Sequence, residues 1–359
     1  MNITIVGCGN IGTQFAVHCA EKGHAVTIFT PRYSQVSKEL SIVDADGTVI
    51  HKGIIADTTD DPEKAFSKAE LIFVTTPAFH MEHSAQQIEP YVSAGTYIGL
   101  IPGTGGGECV FHKCVEKGCV VFGLQRVPSV ARLVKYGQTV CAEGYRATLH
   151  LAALPCRETE NCCDTISGIF DMPCEALPNY LNVTLTPSNP ILHTTRLCTI
   201  FKDYEPGMAY ESVPLFYEQW DDASSELLLA CDEEVQNLCR VMDMFDLSNV
   251  RSLKLHYESQ DAKQLTAKLC SIRSLQGLTS PAVAVEGGWI PDFQSRYFTA
   301  DFPYGLAILI QIAEFAGAQV PHMKATLAWY QTVTGNRKCF DFAQYGVTDW
   351  TSFRKFYQQ

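Results

Sequence analysis

Two groups of residues in this sequence have types and spacings suited to chemistry. The first is Gly7-Cys8-Gly9-Asn10-Ile11-Gly12, a Gly-x-Gly-x-x-Gly run directly after the apolar stretch Ile3–Val6. One glycine permits a tight turn, the next lets backbone approach a pyrophosphate, and the third lets helix and strand pack closely. The diphosphate then sits on unpaired N–H groups at a helix N-terminus. The second group is spread over two stretches, Thr186–Arg196 and Ser295–Gly305. Within them His193 is of the residue type that can serve as a general acid or base, since a free imidazole titrates near neutrality. Asp301 could fix its tautomer, and Arg296 could grip a carboxylate bidentately. Arg132 and Arg196 are further cation candidates. The chain has ten histidines, and residue type alone leaves His193 equally an ordinary core or surface histidine.

These groups need elements to position them. Ile3–Val6 reads as a short buried strand, because β-branched side chains pack well on a pleated sheet. Phe15, Ala16, Cys19 and Ala20 recur at helical spacing as far as Gly23, which can end the helix. Ala25–Phe29 supplies the second strand of a βαβ unit. At its tip an acidic residue would hold the ribose 2′-hydroxyl of NAD. Thr30-Pro31-Arg32-Tyr33-Ser34 stands there instead, without a carboxylate. Arg32 can pair with a 2′-phosphate, and Thr30 and Ser34 can donate to its oxygens. The expectation is NADP, with NAD as the alternative, unless Arg32 is simply a solvated loop residue.

A hairpin is expected within residues 43–55, then a helix over 62–69 capped by Asp60 or Asp61. Leu71–Thr76 reads as a parallel strand whose carboxyl end, Thr76-Pro77-Ala78, should line the cofactor cleft. Tyr97–Ile101 leads into Pro102-Gly103-Thr104-Gly105-Gly106-Gly107, either a second close backbone approach to the cofactor at Gly103 or a loop without a ligand. Val120–Leu124, Thr139–Glu143 and Ala147–Ala152 read as strands closing the sheet, followed by a helix over 158–169 and a last β segment at 182–185. From Thr186 the texture becomes helical, notably at 227–242, 262–271, 307–316 and 324–334. The expected architecture is α/β: an N-terminal Rossmann doubly wound parallel sheet over 1–183, and an all-helical C-terminal substrate domain over 184–359.

The 359 residues are long enough for two such domains. A net charge of −12 argues against nucleic-acid binding. No apolar run approaches the roughly 18–20 residues of a membrane span, and a strand starting at residue 2 leaves no room for a signal peptide. Reduced thiols in a cytoplasmic protein are therefore expected for the fifteen cysteines, whose spacings match no zinc motif, so no metal is expected. The four tryptophans, Trp220, Trp289, Trp329 and Trp350, permit a homodimer without requiring one.

Taken together, GCGNIG, Thr75-Thr76-Pro77-Ala78, Pro102-Gly-Thr-Gly-Gly, Asn189-Pro-x-x-His193 and Arg296-Tyr-x-x-x-Asp301-x-Pro-x-Gly305 resemble the opine dehydrogenases of the octopine/nopaline type. The resemblance runs from residue 2 to about Pro321. It implies an NAD(P)H-dependent oxidoreductase acting on CH–NH bonds. An α-keto acid and an amino acid condense to an imine, which is reduced to a secondary-amine dicarboxylate. By position, His193 would be the acid/base, Asp301 its partner, Arg296 a carboxylate anchor, and Asn189 a residue that helps position His193. Two alternatives remain at this point. One is an α-keto acid/2-hydroxy acid reductase of the ketopantoate reductase type, which relies on a second-domain lysine. The other is a non-catalytic NADP-binding sensor.

Overall fold

A computed structural model describes residues 1–358 and divides them into two compact units, Met1–Thr184 with the C-terminal residues from Lys355, and Leu185–Arg354. The last few residues thus return to the first unit rather than staying with the second.

In the first unit, β1 (Asn2–Val6), α1 (Asn10–Glu21) and β2 (Ala25–Phe29) form the expected βαβ unit. Phe15, Ala16 and Cys19 are wholly buried on the inner face of α1, and Gly23 ends it at φ +79°. There follow β3 (Glu39–Val43), β4 (Val49–Ile54), β5 (Asp57–Thr59) and α2 (Pro62–Phe66). Asp61 caps α2 by accepting from the N–H groups of Glu63 and Lys64. Next come β6 (Leu71–Val74), α3 (Met81–Ile88), β7 (Tyr97–Leu100), α4 (Gly107–Val110), α5 (His112–Glu116) and β8 (Val120–Leu124). The unit continues through β9 (Val130–Lys135), β10 (Thr139–Glu143), β11 (Leu149–Leu154), α6 (Thr159–Phe170), β12 (Cys174–Ala176) and α7 (Leu181–Thr184).

The main sheet has the order β12-β11-β8-β7-β6-β1-β2-β5. β11 runs antiparallel to β8 and carries β12 with it, while the other six strands are mutually parallel. Two expectations fail here. Thr139–Glu143 does not close this sheet; it lies in a second sheet ordered β4-β3-β10-β9. Its alternating pattern gives the reason, since only Val140 and Ala142 are buried, beside Leu40, Ile42, Phe15 and Val17 in one core cluster. Residues 182–185 form no strand either. The N–H groups of Val183 and Thr184 turn back onto the Tyr180 carbonyl at 2.9 and 3.2 Å, so local bonds win over the β-branched composition.

The second unit is helical: α8 (Asn189–Ile200), α9 (Asp222–Val241), α10 (Leu253–His256) and α11 (Ala262–Ser271), then, after a hairpin, α12 (Arg296–Thr299), α13 (Ala307–Ala316) and α14 (Pro321–Thr334). The hairpin, β13 (Ala282–Val285) with β14 (Gly288–Pro291), is an addition to the all-helical expectation. Its turn residues Gly287 and Gly288 both have positive φ. A final helix, α15, spans Trp350–Tyr357. No helix among the described residues is long and apolar enough to cross a membrane.

Candidate active site

The turn between β1 and α1 is shaped by three glycines, two of which disfavour a side chain. Gly7 takes φ +97°, and its N–H donates to the Phe29 carbonyl at 2.9 Å. A Cβ on Gly12 would lie 2.1 Å from the Gly7 carbonyl oxygen, so only glycine lets α1 start this close to β1. At Gly9, by contrast, a Cβ would meet nothing within 4 Å. That open side at the N-terminus of α1 could hold a pyrophosphate. Asn10 turns its side chain away, its Oδ1 accepting from the Leu133 N–H at 2.9 Å, and Ile11 packs against the core.

Beyond β2, the Arg32 guanidinium lies 3.7 Å from the centre of the Tyr136 ring, and the Tyr136 hydroxyl is 3.1 Å from Thr30 Oγ1. Tyr33 and Ser34 are exposed beside it. Arg32 has no carboxylate partner among the described residues, and the turn joining β9 to β10 supplies the aromatic plate against it. Thr76, Pro77 and Ala78 lie half-buried past the end of β6, with Thr76 Oγ1 3.2 Å from Ser84 Oγ. Gly103 has a packing duty. A Cβ there would strike Gly123 Cα at 2.6 Å, its N–H donates to Leu124, and its carbonyl accepts from the Tyr180 hydroxyl.

In the second unit, α8 carries His193 on a buried face. His193 Nδ1 is 2.8 Å from Asp301 Oδ2, and its Nε2 is 2.8 Å from the Tyr217 hydroxyl. A carboxylate only accepts, so Nδ1 carries the proton and Nε2 is the basic nitrogen, accepting from Tyr217. The rings of Phe216 and Tyr297 flank the imidazole at 5.4 and 4.5 Å between centroids. Asp301 leads into a single π-helical segment, Phe302–Leu306, with its carbonyl accepting from the Leu306 N–H at 2.8 Å. Such segments are commonly found at functional sites. Gly305 lets this segment reach the first turn of α8, since a Cβ there would lie 2.9 Å from Pro190 Cβ. The spacing Asp301-x-Pro-x-Gly305 is thus the geometry that brings Asp301 onto His193.

The other expected residues separate. Arg296 begins α12 with an exposed guanidinium that forms no ion pair among the described residues, leaving it available to an anion. Asn189 is exposed at the start of α8 and makes no hydrogen bond to His193; the polar contact expected of it comes from Tyr217. Arg196 is wholly buried and committed. It donates to the Phe216 carbonyl (3.1 Å), Asp221 Oδ2 (2.7 Å) and Ser224 Oγ (3.0 Å), so it holds the segment bearing Tyr217 instead of binding substrate. Arg132 is exposed on β9. Tyr217 itself had no motif to announce it; the only sequence signal is the aromatic cluster Phe216-Tyr217-x-x-Trp220.

Residues 176–334 match the family described as NAD/NADP octopine/nopaline dehydrogenase, alpha-helical domain, and residues 3–145 match ketopantoate reductase PanE/ApbA. An uncharacterised protein of Sinorhizobium fredii is 30% identical over 92% of this chain and 94% of its own length. The octopine dehydrogenase of Pecten maximus is 28% identical over 80% of this chain and 76% of its own. The chain belongs to the octopine/nopaline dehydrogenase family. It is an NAD(P)-dependent oxidoreductase acting on CH–NH bonds, of the opine type that reductively condenses a keto acid with an amino acid. The tauropine dehydrogenase of Arabella iricolor is a further relative, 26% identical over 77% of this chain and 74% of its own. The fold agrees: an octopine dehydrogenase solved with NADH and L-arginine superposes with a TM-score of 0.85 at 24% identity, covering 98% of this chain and 97% of that one.

Proposed function

We propose that this opine dehydrogenase uses NADPH in preference to NADH, and that His193 is its acid/base, Asp301 the partner of His193, and Arg296 the anchor for a substrate carboxylate. The carrying observation is the histidine hydrogen-bonded at both nitrogens, 2.8 Å from a carboxylate on one side and 2.8 Å from a phenol on the other. A keto acid and a primary amine lose water to form C=N. The imine carbon accepts hydride best when its nitrogen is protonated, so the reaction needs a positioned proton carrier. His193 Nε2 would deliver that proton to nitrogen, while Asp301 holds the Nδ1–H and stabilises the positive imidazolium.

Bound nicotinamide dinucleotide supplies the hydride. Gly7, Gly9 and Gly12 would hold its diphosphate, with Thr76, Pro77 and Ala78 along the cleft. Arg32, with Thr30 and Ser34, would hold the 2′-phosphate that distinguishes NADPH. Two anionic substrates in a protein of net charge −12 need a local cation, and Arg296 forms no ion pair among the described residues. Pyruvate and an amino acid are the proposed substrate classes, drawn from relatives solved with L-arginine and with pyruvate. The proposed setting is the cytoplasm, as a monomer or homodimer that sedimentation would distinguish.

The ketopantoate-type alternative gains no support from the second unit, where Lys202, Lys254, Lys263 and Lys268 are all exposed. The test is absorbance of NADPH and NADH with pyruvate, with and without a pool of the twenty amino acids. Oxidation dependent on the amino acid is expected. Oxidation with pyruvate alone would replace this reading with a simple keto-acid reductase.

A further inference from the structure

Among the described residues, one group of three potential metal-ligating side chains takes no part in the glycine turn or the His193 site. His18 and Glu21 lie three positions apart on α1, and His51 faces them from β4. One ligand atom from each of the three lies within 4.8 Å of the others. The two imidazoles face each other with centroids 4.7 Å apart, and His51 Nδ1 is 2.8 Å from Glu21 Oε2. We infer that His18, Glu21 and His51 form a binding site for a divalent cation of the zinc class, clamping β4 onto α1.

Two features support a ligand site over a chance ion pair. The first is the backbone approach. Gly53, two residues past His51, has no room for a side chain, since a Cβ would meet Ala20 Cβ at 2.8 Å, the Val17 oxygen at 2.9 Å and Val17 Cα at 3.0 Å. This contact of β4 with α1 is what brings His51 over His18. The second is the outer support. The Tyr145 hydroxyl lies 3.0 Å from His18 Nε2 and receives Gln14 at 3.3 Å, and such partners orient metal-bound imidazoles.

Two imidazoles and a carboxylate make a donor set suited to zinc, cobalt or nickel, with a fourth position left for water. Bonds of about 2.0–2.1 Å put tetrahedral ligands roughly 3.4 Å apart, which small side-chain rotations reach from the present span. The ligands are 33 residues apart between helix and strand (51 − 18), so no short motif announces them.

The test uses the full-length enzyme, freed of metal, titrated with Co²⁺ while its visible absorption is followed, and with Zn²⁺ by calorimetry. The expected result is one ion per chain, tetrahedral cobalt bands without a thiolate charge-transfer band, and a zinc-dependent rise in Tm. His51→Ala and Glu21→Gln should each weaken binding at least tenfold and abolish the Tm rise, while retaining NADPH binding as proof of folding. Equal affinity in these variants, a thiolate band, or no binding at millimolar Co²⁺ would overturn the assignment.

Discussion

His193 on α8 and Tyr217 in the turn segment before α9 share a 2.8 Å hydrogen bond at Nε2, the nitrogen not engaged by Asp301. The Tyr217 hydroxyl therefore marks where a substrate nitrogen must exchange protons with the imidazole. Tyr217→Phe removes one neutral hydrogen bond worth about 0.5–1.5 kcal/mol, so kcat should fall by up to roughly tenfold. His193→Ala removes the proton carrier and should cost about 10²–10⁴-fold. Steady-state kinetics check both, with cofactor titration confirming that NADPH still binds. A His193→Ala enzyme at full rate would remove the histidine from the mechanism.

Asp301 accepts from Nδ1–H and so makes Nε2 the basic nitrogen. Asn in its place can donate to Nδ1 and trap the opposite tautomer. Asp301→Asn is expected to lower kcat by at least about 10²-fold with little change in Tm, because the side-chain volume is preserved. The readout is kcat beside a thermal melt; equal losses in both would mean that Asp301 serves packing only.

Much of this was legible in the sequence, because local signals carry local structure. The glycine run predicts its strand–turn–helix, and Arg296…Asp301…Gly305 brings its carboxylate to His193 through one π-helical turn. What was not legible depended on pairing at long range. Thr139–Glu143 reads as a strand, but nothing local says whether it joins β8 or β3. Arg196 reads as a free cation until Phe216, Asp221 and Ser224 consume its donors. Asn182–Leu185 has strand-like composition, overridden by bonds to Tyr180. Tyr217 reaches His193 through folding alone.

Gly305 tests whether the approach to α8 positions Asp301. A Cβ would lie 2.9 Å from Pro190 Cβ and 3.0 Å from its Cγ. Gly305→Ala should cost about 1–3 kcal/mol of stability through overpacking. It should also lower kcat well below what the residual fold would give, as the carboxylate moves off Nδ1. Urea unfolding and kcat measured on the same preparation separate the two effects.

Arg32 stacks 3.7 Å over Tyr136 with no carboxylate among the described residues to neutralise it. A charge-assisted bond to a 2′-phosphate contributes about 1.5–3 kcal/mol. Arg32→Ala should therefore raise KM for NADPH roughly ten- to hundred-fold while leaving KM for NADH nearly unchanged. Equal effects on both cofactors would make Arg32 a loop residue without a role in choosing between them.

Asp232 on α9 gives the second unit a pH signature separate from catalysis. Its Oδ2 accepts from the Leu253 N–H at 2.8 Å, and burial pushes its pKa up to about 6 from an ordinary 3.8. The folded state then holds the proton more tightly than the unfolded chain. Stability should rise as pH falls from about 7 toward about 4, by up to roughly 3 kcal/mol. Asp232→Asn keeps an acceptor for Leu253 and removes the charge, so it should flatten this dependence and stabilise the fold at pH 7. Denaturant unfolding of both proteins at pH 5 and pH 7.5 measures the difference; parallel changes in the two would show that Asp232 is already ionised in the folded protein without penalty.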